Sequence, residues 1–425
     1  MLLPQPPPAT GRGALAYPNF RRYQIARLFV IVGLEMQSVA VGWQVYELTR
    51  APLALGFVGL AQFLPGMILF LVSGHAADRI NRRKMLVFCY AGFAGCSALL
   101  LWATHVLGKS VPAIYVILVL IGIVRSFSGP ASRSILSQLV AEEHFPNAVA
   151  WTASVYQTST LLGPALGGVV YAIFQGPSAV YATAAVGALV GSVLTVRMRT
   201  LPQTIIPEAM GSKTLFAGLR YIFKQKLILG SISLDLFAVL FGGAVALLPV
   251  YAREILHTGP WGLGLLRSAP AIGALSMAVL LAYRPLRGKV GVTLLWCVAG
   301  FGVFTILFGI SRSLMLSMIA LLLVGACDMV SVIIRNTLVQ IATPDQMRGR
   351  VTAVELIFIG ASNELGEFES GVTAHWFGTV PAVILGGVGS LMVTMLWAYA
   401  FPELRKADRF TKSPERHLAK DSHRA

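Results

Sequence analysis

The chain is 425 residues long, 56% hydrophobic and only 12% charged, with a mean hydropathy of +0.72. Soluble domains carry about 25% charged residues, so most of this chain never meets water and an ordinary soluble domain is excluded. The net charge of +16 raises nucleic acid as a partner, but the charges lie in short segments between apolar runs, with no folded basic module, and argue against it.

Residues 1–10 are proline-rich and uncharged with no apolar core, so no cleavable leader is expected. Twelve transmembrane helices are then predicted, at 23–48, 53–74, 85–106, 111–131, 147–172, 177–199, 227–251, 261–283, 290–310, 314–337, 349–376 and 379–402. The runs 114–124 and 314–326 sit inside spans near the ~20 residues a bilayer requires. The polar stretch 200–226, with Pro202, Pro207 and Gly211, divides the chain. The organisation expected is a cytoplasmic tail (1–22), a six-helix bundle (23–199), a cytoplasmic linker (200–226), a second six-helix bundle (227–402) and a basic cytoplasmic tail (403–425).

Placing the N-terminus inside and alternating puts 28 Lys and Arg on the inner side, Arg335 among them, and four on the outer side. That imbalance predicts both termini in the cytoplasm and contact with anionic lipid. The two halves repeat each other. Arg133 and Gln138 fall on Arg335 and Gln340 at a shift of 202, and Arg79, Arg82 and Lys84 fall on Arg284, Arg287 and Lys289 at a shift of 205. A parallel repeat of six helices predicts a central cavity between two bundles, exposed to each side in turn as they rock. The four cysteines lie in apolar segments without metal-ligand spacing, so neither a metal site nor a disulfide framework is expected.

Three motifs carry chemistry. The loop after the second helix, Gly74-His75-Ala76-Ala77-Asp78-Arg79-Ile80-Asn81-Arg82-Arg83-Lys84, resembles the signature loop of the major facilitator superfamily. It departs from that pattern at Asn81, where glycine is usual. The resemblance implies a conformational latch of Gly74, Asp78, Arg79, Arg82 and Arg83. The second-half copy, 283–289, lacks the acid, so the latch is one-sided. In the fifth helix, Leu162-Gly163-Pro164-Ala165-Leu166-Gly167-Gly168 resembles the Gly-Pro-x-x-Gly-Gly motif of the superfamily's antiporters. Gly163, Pro164, Gly167 and Gly168 then serve export by exchange, against the plainer reading of small-residue packing. In the fourth helix, Arg125 followed by Gly129 resembles the superfamily's buried-arginine motif.

An arginine inside a span is costly without a partner or water. Glu35, the only acid in the core of the first helix, is the partner expected for Arg125. Protonation of Glu35 frees Arg125 and shifts the conformational balance; the competing reading is a permanent structural salt bridge. Asp235, Asp328, Glu355, Glu364, Glu367 and Glu369 lie in the seventh, tenth and eleventh helices. Acids in spans seldom face lipid. Asp235, Asp328, Glu364 and Glu367 are therefore candidates for proton coupling or for a cationic substrate. Gln37 and Asn363 are candidates for hydrogen bonds to substrate and Trp43 for stacking. Glu142-Glu143-His144 reads as a solvated loop face.

Segments 17–21, 46–56 and 136–150 further resemble the enterobactin-exporter branch of the superfamily, most strongly over residues 17–200. The fold implied is all-α, with twelve transmembrane helices in two six-helix bundles around a central cavity. The function implied is secondary active transport without an enzyme's chemistry: a monomeric, proton-driven exporter of a drug, siderophore or similar amphipathic molecule in the bacterial inner membrane. The proton gradient supplies the energy and no cofactor is expected; the partners are the small molecule, protons and the bilayer. A lysophospholipid flippase or metabolite importer of the same fold, and a membrane sensor or scaffold that does not transport, are the rival readings.

Overall fold

A computed structural model describes residues 13–107, 110–199, 212–284 and 288–406. Helix is the only regular structure among them. The first half contains α1 (Pro18–Thr49), α2 (Pro52–Arg79), α3 (Arg82–Val106), α4 (Val111–Ser134), α5 (Phe145–Ile173) and α6 (Ser178–Val196). The second contains α7 (Ser212–Lys224), α8 (Lys226–Phe241), α9 (Gly259–Tyr283), α10 (Val290–Ile310), α11 (Leu314–Ala342), α12 (Asp345–Phe377), α13 (Thr379–Ala400) and the short α14 (Pro402–Arg405).

Local sequence sets many of the helix starts. α1, α2, α4 and α5 have proline in their first turn, where the missing N–H costs nothing. Asn81 caps α3: its Oδ1 accepts from the backbone N–H groups of Arg83 (3.1 Å) and Lys84 (3.2 Å). The departure from glycine in the signature loop thus secures the next helix. Among the described residues, ten spans are long and apolar enough to cross a bilayer. α5 and α12 have the length but not the apolarity, because α5 is rich in Ser, Thr and Gln and α12 contains five acids.

Of the expected linker 200–226, residues 200–211 lie outside the described residues, and 212–224 form the helix α7, whose Tyr221 hydroxyl donates to the Ala342 carbonyl at 3.0 Å. Two expectations are corrected. The seventh span is not one regular helix. α8 stops at Gly242-Gly243 and the chain continues to Ile255 through short 3-10, α and π turns. A β-carbon on Gly243 lies only 2.4 Å from the Gly366 carbonyl, so the break lets the α12 backbone come close. Finally, α11 runs to Ala342, and Arg335 lies 2% exposed inside the second bundle rather than at the membrane surface.

Within the first half α1 packs on α5 and α6, α2 on α4, and α3 on α4 and α6. Within the second, α9 and α10 pack on α11, α10 on α13, and α12 on α8. The halves meet along two seams, α5 against α9 and α2 against α12. Backbone contact makes the first seam. A β-carbon on Gly168 sits 2.5 Å from the Pro260 carbonyl and 2.9 Å from Gly264 Cα.

Candidate functional site

Between the two seams lies a cavity of about 490 Å³, lined from both halves by α1, α2, α3, α4, α5 and α9, the 245–249 turn and α12. It opens toward the end that carries the first and last described residues, Gly13 and Lys406, where Arg27, Ser132 and Arg133 line it. There, a β-carbon on Gly74 or Gly129 would meet nothing within 4 Å, whereas near the opposite end one on Gly56 would lie 3.1 Å from the Phe368 carbonyl. The far end is also sealed by charge. Arg50 pairs with Glu254 (3.0 Å) and Arg253 with Glu47 (3.5 Å), and the Tyr171 hydroxyl donates to Glu47 at 3.1 Å. The broken seventh span supplies Arg253 and Glu254 from its π turn.

The charges of the cavity form an uneven set. Arg125 of α4 pairs with Glu364 of α12 at 3.7 Å, a tie between the halves in the middle of the space. Glu364 and Glu367 are one turn apart, and both aim an oxygen at Gly59 of α2. Glu35 lines the same cavity, as does Arg267 of α9. The expected Glu35–Arg125 pair is therefore corrected: Arg125 is held by Glu364. Glu35 instead lies against α5, where a β-carbon on Gly163 approaches its Cβ to 2.4 Å.

Other predicted residues divide. Gln37 lines the cavity, and its Oε1 accepts from Ser97 at 2.6 Å. Asp235 and Asp328 are not among the lining residues. Arg335 pairs with Asp235, and its Nε lies 3.3 Å from Glu355 Oε1. Asp328 lies seven residues before Arg335 on the same face of α11 and feels the charges of Asp235 and Arg335. Arg335, Asp235 and Glu355 are buried inside the second bundle with the half-buried Asp328 near them, and none of the four lines the cavity. Trp43 is packed edge-on against Tyr171 with the Arg253 guanidinium 5.4 Å from its ring, so it belongs to the far-end seal. Asn363 is exposed outside the cavity and its amide donates to the Ile359 carbonyl of its own helix. His144 is buried, with its Nδ1 3.3 Å from the Tyr17 hydroxyl, so that loop face is solvated only at Glu142 and Glu143.

The loop motif forms no tight helix contact at Gly74, where a β-carbon would meet nothing within 4 Å. Arg82 donates to the Ser134 carbonyl (2.9 Å) and Arg83 to the Val196 carbonyl (2.8 Å), at the ends of α4 and α6. Arg79 is exposed, and the Asp78 side chain lies outside the described residues, as does Arg287 in the second copy. Gly163, Pro164, Gly167 and Gly168 are all buried where α5 crosses α1 and α9. Sequence reading missed Arg267 as a site residue. Its signal was available, since a cation well inside an apolar span needs water or a partner.

Over residues 9–423 the chain matches a family described as transmembrane secretion effector. It is 27% identical over 414 residues to the enterobactin exporter EntS of Shigella boydii serotype 4 (strain Sb227), covering 96% of each chain. The enterobactin exporter of Escherichia coli (strain SMS-3-5 / SECEC) matches to the same extent. Among solved structures, an inward-facing, occupied bacterial homologue of the human lysosomal transporter Spinster superposes with a TM-score of 0.72 at 13% identity, covering 92% of this chain and 98% of that one. A D-xylose–proton symporter gives 0.71 at 14% identity, covering 93% and 100%. At such identities the structural likeness is one of fold.

Proposed function

Because this chain belongs to the transmembrane secretion effector family of the major facilitator superfamily, and so is a multi-pass secondary transporter of a small molecule in the bacterial inner membrane, we propose that it exports an amphipathic compound such as a drug or siderophore in exchange for protons. The observation that carries this reading is the Arg125–Glu364 tie across the cavity, with Glu367 and Glu35 beside it. A carboxylate that holds a cation from the other half is a switch between two arrangements. While Glu364 is ionised Arg125 is occupied. A proton on Glu364 cancels the attraction, releases Arg125 and changes the balance between conformations.

On this reading the first bundle (23–199) and the second (227–402) rock about the α5–α9 and α2–α12 seams as a monomer. Both termini face the cytoplasm, as the distribution of Lys and Arg supports. The present conformation is then open inward with its outer end closed by the Arg50, Arg253, Glu47 and Glu254 network. The proton gradient supplies the energy and no resident cofactor takes part.

Everted membrane vesicles test the coupling. Uptake of labelled enterobactin or another catecholate siderophore into them is expected to collapse with a protonophore. Glu364→Gln and Glu35→Gln are each expected to slow it by about tenfold or more, the equivalent of roughly 1.4 kcal/mol on the barrier. Uptake indifferent to the protonophore and to both substitutions excludes proton exchange.

A further inference from the structure

The cavity contains four arginines and three acids, and they are not evenly spread. Arg125 pairs with Glu364. Arg267 sits in the electrostatic neighbourhood of Glu364 and Glu367. That leaves Arg27 of α1 and Arg133 of α4. Both line the cavity, each about two helical turns nearer its open end than Glu35 and Arg125. Neither forms an ion pair among the described residues, and Arg133 feels the repulsive charge of Arg27. Arg27 is held in place by α5, donating through Nη1 to the Thr152 carbonyl at 2.8 Å.

Two guanidiniums that face one space and repel each other cost free energy unless an anion or water lies between them. Guanidinium is also the side chain best matched to a two-oxygen acid, which it grips through two parallel hydrogen bonds. Above the pair the cavity wall carries the apolar side chains Val30, Ile31, Leu34 and Phe93, with Glu35, Gln37 and Tyr90 between them. An acidic head and an apolar body fit that sequence of surfaces.

We propose that Arg27 and Arg133 form an anion-binding subsite at the mouth of the cavity, and that the cargo is an amphipathic molecule with a carboxylate, phosphate or comparable oxyanion. This rests on the transport reading above and adds the charge of what is moved. The subsite stands apart from Glu364 and Glu367, so cargo and protons do not compete for one group. Their coupling runs through the conformational change.

The test is a pair of probes with the same ring and opposite charge, 2-naphthoate and 2-naphthylmethylammonium. Each is titrated calorimetrically into the full-length protein in nonionic detergent. The anion is expected to bind at least about tenfold more tightly, with the advantage shrinking as salt rises. Arg27→Gln/Arg133→Gln is expected to abolish that advantage while the thermal midpoint stays near that of the unmodified protein. Arg27→Lys/Arg133→Lys is expected to keep part of it. Equal affinities, a preference for the cation, binding of neither probe, or an advantage that survives the glutamines all overturn the subsite. If the glutamine variant does not fold, the ratio in the unmodified protein and in the lysine variant still decides. Binding is independent of direction and coupling, so failure of proton exchange in vesicles leaves this result distinct.

Discussion

Arg335→Met is expected to be the most damaging single substitution in the chain, lowering the yield of folded protein severely. Arg335 is 2% exposed and is flanked by Asp235 and Glu355, themselves 7% and 5% exposed. Removing the cation leaves two buried carboxylates without a counter-charge, and breaking such a pair costs about 3–5 kcal/mol. That is a large share of the roughly 5–15 kcal/mol that holds an ordinary domain together. The measurement is the monodisperse fraction in detergent together with the thermal midpoint. Arg335→Met/Asp235→Asn/Glu355→Gln is expected to recover most of the loss, because a buried charge group can often be replaced wholesale at little cost. A fully stable Arg335→Met protein means that the cluster is hydrated and belongs to a passage after all.

Gly168→Val is expected to abolish transport, with a thermal destabilisation of about 1–3 kcal/mol from overpacking. The added β-carbon meets the Pro260 carbonyl and Gly264 Cα, both backbone, so no side chain can rotate away. The clash lies on the α5–α9 seam, where the two halves must move against each other. Gly176→Ala is the control: it follows α5 closely, and a β-carbon there meets nothing within 4 Å. Vesicle uptake and the thermal midpoint of both variants are compared. Normal uptake by Gly168→Val removes the seam from the mechanism.

Much of this architecture was legible in the sequence because lipid leaves so few options. Helices must satisfy their own backbones, and prolines and Asn81 mark where several begin. The glycines of the fifth helix identified a crossing because only backbone can approach them so closely. What the sequence did not disclose was facing. α8 and α11 are apolar nearly all round, so nothing in their patterns showed that Asp235 and Asp328 point into their own bundle while Glu364 and Glu367 point out of it. The Glu35–Arg125 pairing failed for a related reason. Both residues reach the cavity, but which acid meets Arg125 depends on how α12 of the other half is placed. Arg335 passed for a surface charge because α11 runs on for five residues beyond the expected end of its span. The far-end network was equally hidden, since it joins α1 to a π turn that no periodicity announces.

Distances at the two ends of the molecule test alternating exposure of one cavity most directly. Spin labels are placed, in a variant with the four native cysteines replaced, at the far end on Val106 and Phe377, and at the terminal end on Ile80 and Tyr283. All four positions are exposed, and each pair spans the two halves. Electron–electron resonance on the reconstituted protein is expected to give two populations at each end. As pH is changed, the fraction with a lengthened far-end distance is expected to track the fraction with a shortened terminal-end distance. Distances that stay fixed at both ends, or that lengthen at both ends together, contradict a passage that opens to one side at a time.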